Sequence, residues 1–406
     1  MPLDAVDKRL SDAIAARREA LLADLRTHVN LPTGGSRAPA MEESVRLLVE
    51  RLAALGATTR SAVGPNPPAW LSPDAAGRAP RKVVVCSRPN PKSRCRVLVS
   101  GHVDTVHEPD SAFRTLSIAP DGKTATGPGC VDMKGGLVIA VHALEALQEI
   151  GVEASWSFVL STDEETGSFA ADATLREEAA KHDVGLALEP ATPEGGLVVE
   201  RPGSGQFMIE AVGKAAHVGR DFKSGVNAIA AVARTVEPIQ ALARPDDGLI
   251  VNVGVIEGGT ATNVVPDRAR AFGNIRCSTP QVGRRAMAEI EAIVGGVQVS
   301  PGASLTLSST LNRPAKPGTP KVMALAGLAR AAAEDLGQRL PFSKTGGVCE
   351  GNNLQDAGLP TIDTLGVRGG GLHTPTEWIE LASLVERCQL LAVLMARLSR
   401  EGFSGQ

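Results

Sequence analysis

Residues 96–106 read RVLVSGHVDTV, an apolar run that ends on a histidine and, two positions later, an aspartate. A short apolar run without polar alternation is the pattern of a strand buried on both faces. In an open α/β fold, the carboxyl ends of such strands are where ligand-binding groups collect. His102 and Asp104 therefore fall at an expected site. Further along the chain the arrangement recurs. STDEETGS (161–168) follows the apolar SFVL and offers Glu164 and Glu165, Glu189 closes VGLAL, and His373 lies a glycine loop beyond TIDTL. A further candidate, Asp132, sits in ATGPGCVDMKGG (125–136).

These residue types suit a pair of zinc ions, since zinc takes imidazole nitrogen and carboxylate oxygen, and a catalytic zinc keeps one position open. The short Asp132 carboxylate can give one oxygen to each of two cations about 3.5–4 Å apart. His102 with Glu189 could complete one metal, and Glu165 with His373 the other. Asp104, two residues after His102 on the same side of an extended segment, can accept the other imidazole N–H and orient the ring. Glu164, next to the ligand Glu165, is placed to act as general base on the attacking water.

The motifs GHVDTV, GPGCVDMKGG, STDEETGS, ALEP, GKAAHVG, ATNVVPD, NIRC, TGG and GLHTPTEW, spanning residues 100–378, carry a collinear resemblance. The chain resembles the di-zinc metallopeptidase family that contains glutamate carboxypeptidase, acetylornithine deacetylase and succinyl-diaminopimelate desuccinylase, with the glutamate carboxypeptidase branch nearest. The resemblance implies the same ligands, base and orienting residue, and a cis peptide bond at Asp132–Met133. It also implies roles for residues with no metal-binding part. His217 would stabilise the developing oxyanion, Arg276 would bind the free carboxylate of the substrate as a bidentate fork, and Asn263 and Gly347 would contact substrate. Without the resemblance, His217 reads as a loop histidine and Arg276 as a solvated or ion-paired one.

With 406 residues, 43% of them hydrophobic, the chain can bury a large core and is expected to form more than one domain. Strands are expected at 81–86, 95–100, 156–161, 184–188 and 361–366, alternating with helices at 134–150, 319–337 and 380–399. That alternation implies an α/β fold, a mainly parallel sheet covered by helices. Between 199 and 313 the pattern becomes strand 205–212, helix 226–243, strands 249–256 and 267–277, helix 283–295 and strand 303–310. This βαββαβ order is the plan of a ferredoxin-like α+β unit. The expected organisation is a discontinuous zinc catalytic domain, 1–198 plus 314–406, with an inserted dimerisation or lid domain at 199–313.

Other features set limits. The net charge of −3 offers no electrostatic reason for a nucleic-acid or membrane partner, and a chain without tyrosine is poorly equipped for base stacking. No stretch is long and apolar enough to span a membrane, and the N-terminal segment mixes charged with apolar residues unlike a signal peptide. Six scattered cysteines without CxxC pairs read as reduced thiols, so the expected compartment is the cytoplasm. His28, His107, His142 and His182 read as solvated or packing residues, with contact to substrate as an alternative for His107 alone. The Pro/Gly-rich stretch 64–80 reads as a surface loop with Trp70 exposed, and with a role at the substrate rim or in a dimer as the alternative. No GxSxG elbow or phosphate-binding GxxxxGK[ST] loop competes with the metal reading.

The expected function is a two-zinc amide hydrolase of the carboxypeptidase kind, with Co2+ or Mn2+ as possible substitutes for zinc. It would work as a homodimer on a small-molecule or short-peptide substrate, an N-acyl or N-aroyl amino acid with a free carboxylate. Glutamate as the leaving amino acid is suggested by the nearest branch, although ATPEGGLVVE after Glu189 lacks that branch's lysine and only Arg201 is nearby. The alternatives are an N-acyl diamino acid deacylase or a non-catalytic metal-binding protein.

Overall fold

In the computed structural model, residues 3–35, 37–73 and 79–405 are described. The central sheet has six strands in the order Thr58–Val63, Lys82–Arg88, Ser155–Ser161, Arg96–His102, Val184–Ala187 and Thr361–Ile362. The pairings among the last four strands are parallel, and the two at the Thr58–Val63 edge are antiparallel. Alternate side chains of each strand enter opposite cores. Val97 and Val99 join the larger cluster and Leu98 the smaller, while Val84 and Cys86 divide in the same way from Val83 and Val85. This two-sided burial explains the unbroken apolar runs.

On the larger face, helix Gly135–Ile150 is buried on nearly every side, between the sheet and the helix Ala382–Glu401. Gly136 is required there, because a Cβ at that position would lie 2.2 Å from the Leu188 carbonyl oxygen. The close approach sets the start of this helix, and with it Asp132, against the strand end that carries Glu189. Gly151, at φ 81°, closes the helix in the left-handed conformation that glycine favours. Helix Pro320–Asp335 begins on the Thr-Pro signature, with the Thr319 hydroxyl accepting from the Val322 amide.

The second sheet has four antiparallel strands in the order Leu249–Gly258, Arg268–Cys277, Gly203–Val212 and Ser304–Arg313. Helices Ala228–Gln240 and Pro280–Gly296 supply Ala231, Val232, Ile239, Ala286 and Ile290 to the cores beneath it. Among the described residues, no helix is long and apolar enough to cross a membrane.

Several expectations need correction. The strand expected over 361–366 stops at Ile362, because Asp363 turns into a buried ion pair and Thr364 takes φ 61°. The edge strand Thr58–Val63 was not anticipated. Trp70 is half-buried rather than exposed, and residues 74–78 of its loop lie outside the described residues. Of the two readings of His28, the packing one is what the fold shows, since the residue is buried with its Nδ1 3.0 Å from the Ser44 hydroxyl. The same holds for His182, whose ring is largely covered and sits on the Glu178 carbonyl.

His28 makes the fold sensitive to acid. Burial, with Lys134 acting in the same direction, lowers its pKa from 6.5 to about 4. The unfolded chain therefore takes up this proton first, so stability is full above about pH 6.5 and falls as the pH drops toward 4. The loss attributable to this group is on the order of 3 kcal/mol. Urea unfolding at pH 7 and pH 4.5 should show a smaller acid loss for His28→Asn than for the unsubstituted protein. Equal losses would show that His28 carries no such linkage.

Candidate metal centre

His102 closes its strand and Glu189 follows Val184–Ala187 by one residue, so parallel pairing brings both to one edge of the sheet. Glu164 and Glu165 open the turn after Ser155–Ser161. The other two candidates arrive through a small sheet in which Trp378–Glu380 pairs with both Gly369–Gly370 and Thr124–Thr126. That pairing sets the His373 loop against the Asp132 loop. His373 adopts φ 61°, uncommon for a residue other than glycine.

Asp132 lies at the centre of the resulting cluster. Its Oδ1 is 3.3 Å from His102 Nε2, which is 4.0 Å from Glu189 Oε1. Its Oδ2 is 3.5 Å from His373 Nε2, which is 3.4 Å from Glu165 Oε2. A tetrahedral metal with bonds of about 2.0–2.1 Å holds its ligand atoms about 3.3–3.4 Å apart. The two halves of the carboxylate thus face two histidine-plus-carboxylate pairs, the His373–Glu165 pair at spacings that suit a metal and the His102–Glu189 pair about 0.6 Å wider. Among the described residues, the buried His102 Nε2 and Asp132 Oδ1 have no hydrogen-bond partner although they face each other. A donor set of two imidazoles and three carboxylates that leaves buried atoms unpaired fits divalent cations.

The electrostatics agree. Burial, reinforced by the Glu164 charge, drives the Glu189 carboxyl well above its ordinary range, and burial pushes Glu165 up to about 7. Burial acts on Asp132 in the same sense, but His102 and His373 outweigh it and hold that carboxyl low. Hydrogen bonds to Asp132 and Glu165 raise His373 to about 10. Crowded buried carboxylates of this kind are stabilised by cations.

The expected contact between Asp104 and His102 is made chiefly by the main chain. His102 Nδ1 is 2.9 Å from the Asp104 carbonyl oxygen and 3.5 Å from its carboxylate. The carboxylate instead accepts from the amides of Glu164 and Glu165, at 3.2 and 3.0 Å, and so fixes the turn that presents them.

Two residues at the centre were missed. Glu377, buried, accepts from the amides of Gly129, Val131 and Asp132 and contacts His107 Nε2. It therefore clamps the loop that bears Asp132. His107 is thereby a packing residue, its first reading, turned toward Glu377. Arg313, also buried, places its guanidinium 2.6 Å from Glu164 Oε1 and donates to the Glu164 carbonyl and to Asn353. The position of Glu377 within GLHTPTEW was a faint signal, and nothing in the sequence around Arg313 marked it.

A cavity of about 730 Å³ opens over the cluster. Its lining includes Asp132, Glu164, Glu165, Glu189 and His373 together with Arg201, Arg276, Arg313 and Gly347. His217 and Asn263 are exposed elsewhere, brought together where Ala216–His217 pairs with Val264–Val265 and the Val218 amide donates to the Asn263 carbonyl.

Glu377→Ala should leave three buried loop amides without their acceptor and weaken metal binding by roughly 10–100-fold, the usual effect of losing such a support. Chelator competition can measure this. Unchanged affinity would show that the loop holds Asp132 without Glu377.

The chain is similar to known proteins over most of its length. The chain is 27% identical over 406 residues to carboxypeptidase G2 of Pseudomonas sp. (strain RS-16), covering 97% of this chain and 92% of that one. It is 28% identical over 322 residues to succinyl-diaminopimelate desuccinylase 2 of Shewanella loihica, covering 74% and 85%. The fold matches the aminopeptidase PepT of Bacillus cereus with a TM-score of 0.72 at 22% identity, over 94% of this chain and 98% of that one. It also matches a dinuclear metal-binding M20 peptidase of Bacillus subtilis, with a TM-score of 0.63 at 15% identity, over 95% and 99%. The profile of peptidase family M20/M25/M40 matches residues 98–397, and the chain belongs to that family of metal-dependent hydrolases.

Proposed function

We propose that the protein is a two-zinc amide hydrolase that cleaves an N-acyl or N-aroyl amino acid, or a short peptide, bearing a free terminal carboxylate. The observation that carries this reading is the cavity shared by the Asp132 cluster and Arg276. The Arg276 guanidinium makes no ion pair among the described residues, so it can receive a substrate carboxylate as a bidentate fork. His102, Asp132 and Glu189 would hold one zinc, and Asp132, Glu165 and His373 the other, with Co2+ or Mn2+ as possible substitutes. When bound, the pair supplies Lewis acidity to the scissile carbonyl and the attacking water. Glu164 takes the proton of that water and returns it to the leaving amine. Arg313 holds one Glu164 oxygen and leaves the other for the water.

An acidic leaving amino acid such as glutamate is supported by Arg201. This residue lines the cavity and pairs with Asp363 at 2.8 Å, while Lys316 pairs with the same buried carboxylate at 3.2 Å. Two cations on one carboxylate leave an excess positive charge beside the substrate. That charge disfavours the cationic side chain of an N-acyl diamino acid. Ranking N-benzoyl-glutamate against N-acetyl-ornithine and N-succinyl-diaminopimelate would decide between them. A higher kcat/KM for either diamino acid derivative would overturn the glutamate reading.

Residues 199–313 form the inserted domain in this reading, with the catalytic domain on either side. Its edge strand Leu249–Gly258 exposes Ile250, Val255 and Ile256, which supports a homodimer through this unit. The exposed His217 and Asn263 lie outside the lining of their own cavity, which supports their serving the site of the partner protomer. The six cysteines are free, in keeping with a cytoplasmic protein.

Glu164→Gln should keep its metal content and lose on the order of 10²–10⁴ in turnover. Retained turnover would place the base elsewhere. Mixing inactive Glu164→Gln and His217→Ala chains under subunit exchange tests the contribution in trans. In a mixed dimer both lesions fall in one site, so activity should return to up to about half of the unsubstituted value. No recovery after proven exchange would show that His217 acts within its own chain or has no part in the reaction.

A further inference from the structure

We propose that Pro67 and Leu71, together with Phe169, form an apolar subsite for the acyl group, so that the enzyme prefers substrates with a bulky, apolar acyl portion, aromatic above all. This rests on the amide-hydrolase reading above and extends it to the other side of the scissile bond.

The strand register fixes the order of groups across the cavity. Arg276 lies opposite Ser204 on one side, and Arg313 lies opposite Ser204 on the other. Neighbouring strands are about 4.8 Å apart, so the main chains of the two arginines are separated by roughly 10 Å. Arg313 grips Glu164, and the adjacent Asn312 donates its side-chain amide to the Gly167 carbonyl at 3.1 Å. Gly167 in turn abuts the Phe169 ring, where a Cβ would come within 3.0 Å of it. The order is therefore Arg276, Ser204, the Arg313–Glu164 pair, Gly167 and Phe169. With a carboxylate on Arg276 and the scissile amide beside Glu164, the acyl group is directed toward Phe169.

Among the described residues, the part of the Pro/Gly-rich loop that it meets there is uncharged. Pro67, Leu71 and Ser72 line the same cavity as Phe169. The segment that bears them is anchored at its base, where the Gly64 amide donates to the Arg81 carbonyl and a Cβ on Gly64 would lie 2.2 Å from the Ala170 carbonyl oxygen. Its outer part is a turn in which the amides of Leu71 and Ser72 both donate to the Pro68 carbonyl. Pro67 and Pro68 restrict the backbone further. These contacts hold Pro67 to Ser72 in place without substrate, so binding spends little conformational entropy on them. An acetyl group would cover little of this surface, whereas an aromatic ring removes much more of it from water.

The test compares kcat/KM for N-benzoyl-glutamate and N-acetyl-glutamate in the unsubstituted enzyme and in Leu71→Ser, Phe169→Ala and Leu71→Met. The unsubstituted enzyme should favour the benzoyl compound. The benzoyl-to-acetyl ratio should fall about tenfold in Leu71→Ser and in Phe169→Ala, the scale set by small changes in an apolar pocket. Leu71→Met, which conserves volume, should keep the ratio. Calorimetry on metal-free protein should show the same selective loss of affinity for N-benzoyl-glutamate, separating the subsite from the metal chemistry. Hydrolysis of both compounds with a ratio that neither Leu71→Ser nor Phe169→Ala alters would overturn the subsite and leave the hydrolase reading standing. Failure of the metal-loaded enzyme to hydrolyse these two compounds, or any other N-acyl amino acid or short peptide with a free carboxylate, would overturn both.

Discussion

Asp132, Glu164, Glu165 and Glu189 converge on one cavity, and the repulsion among these four carboxylates is the constraint that the surrounding structure has to meet. It is met in two ways. Glu164 is neutralised inside the protein by Arg313, which leaves it free of the metal cluster. The other three face His102 and His373 and, in the proposed function, two divalent cations. Because the attraction of a cation for several oxygens depends steeply on their positions, the loops carrying those oxygens need firm support. Glu377 provides it for Asp132, and the Asp104 carboxylate provides it for the Glu164–Glu165 turn, in both cases by accepting main-chain amides.

The parts legible in the sequence were those that local chemistry dictates. His102 and Glu189 follow apolar runs because strands buried on both faces cannot alternate with polar residues, and the sheet then delivers those residues to one edge. The switch to a βαββαβ pattern after residue 199 was equally plain, since helices such as Ala228–Gln240 bury one face against alternating strands. The parts not legible depend on partners far away in the chain. Glu377 holds amides 245 to 248 residues earlier, and an acidic residue in a loop gives no sign of that. Arg313 reads as an ordinary residue at a strand end until the fold sets it against Glu164, 149 positions away. Thr361–Leu365 had the composition of a strand, but the buried Arg201–Asp363–Lys316 group took precedence over the ladder.

The cavity has a division of labour that follows from its two walls. The parallel sheet gathers acids at strand ends, where the candidate metal ligands meet, while strands of the second sheet bring Arg276 and Ser204 to the facing wall. In the proposed function, substrate orientation would depend on charge at one end and apolar surface at the other, with the scissile bond between them at Glu164. His217 and Asn263, carried on the same insert but facing outward, give a site that one chain does not complete in the proposed assembly.

The central claim is that Asp132 divides its two oxygens between two metal ions. Crystals grown with zinc, with diffraction recorded on both sides of the zinc absorption edge, test it directly. Two anomalous peaks about 3.5–4 Å apart, each within bonding distance of a different Asp132 oxygen, are the predicted result. A single peak in crystals of active enzyme, or a pair in which Asp132 touches only one ion, would contradict it.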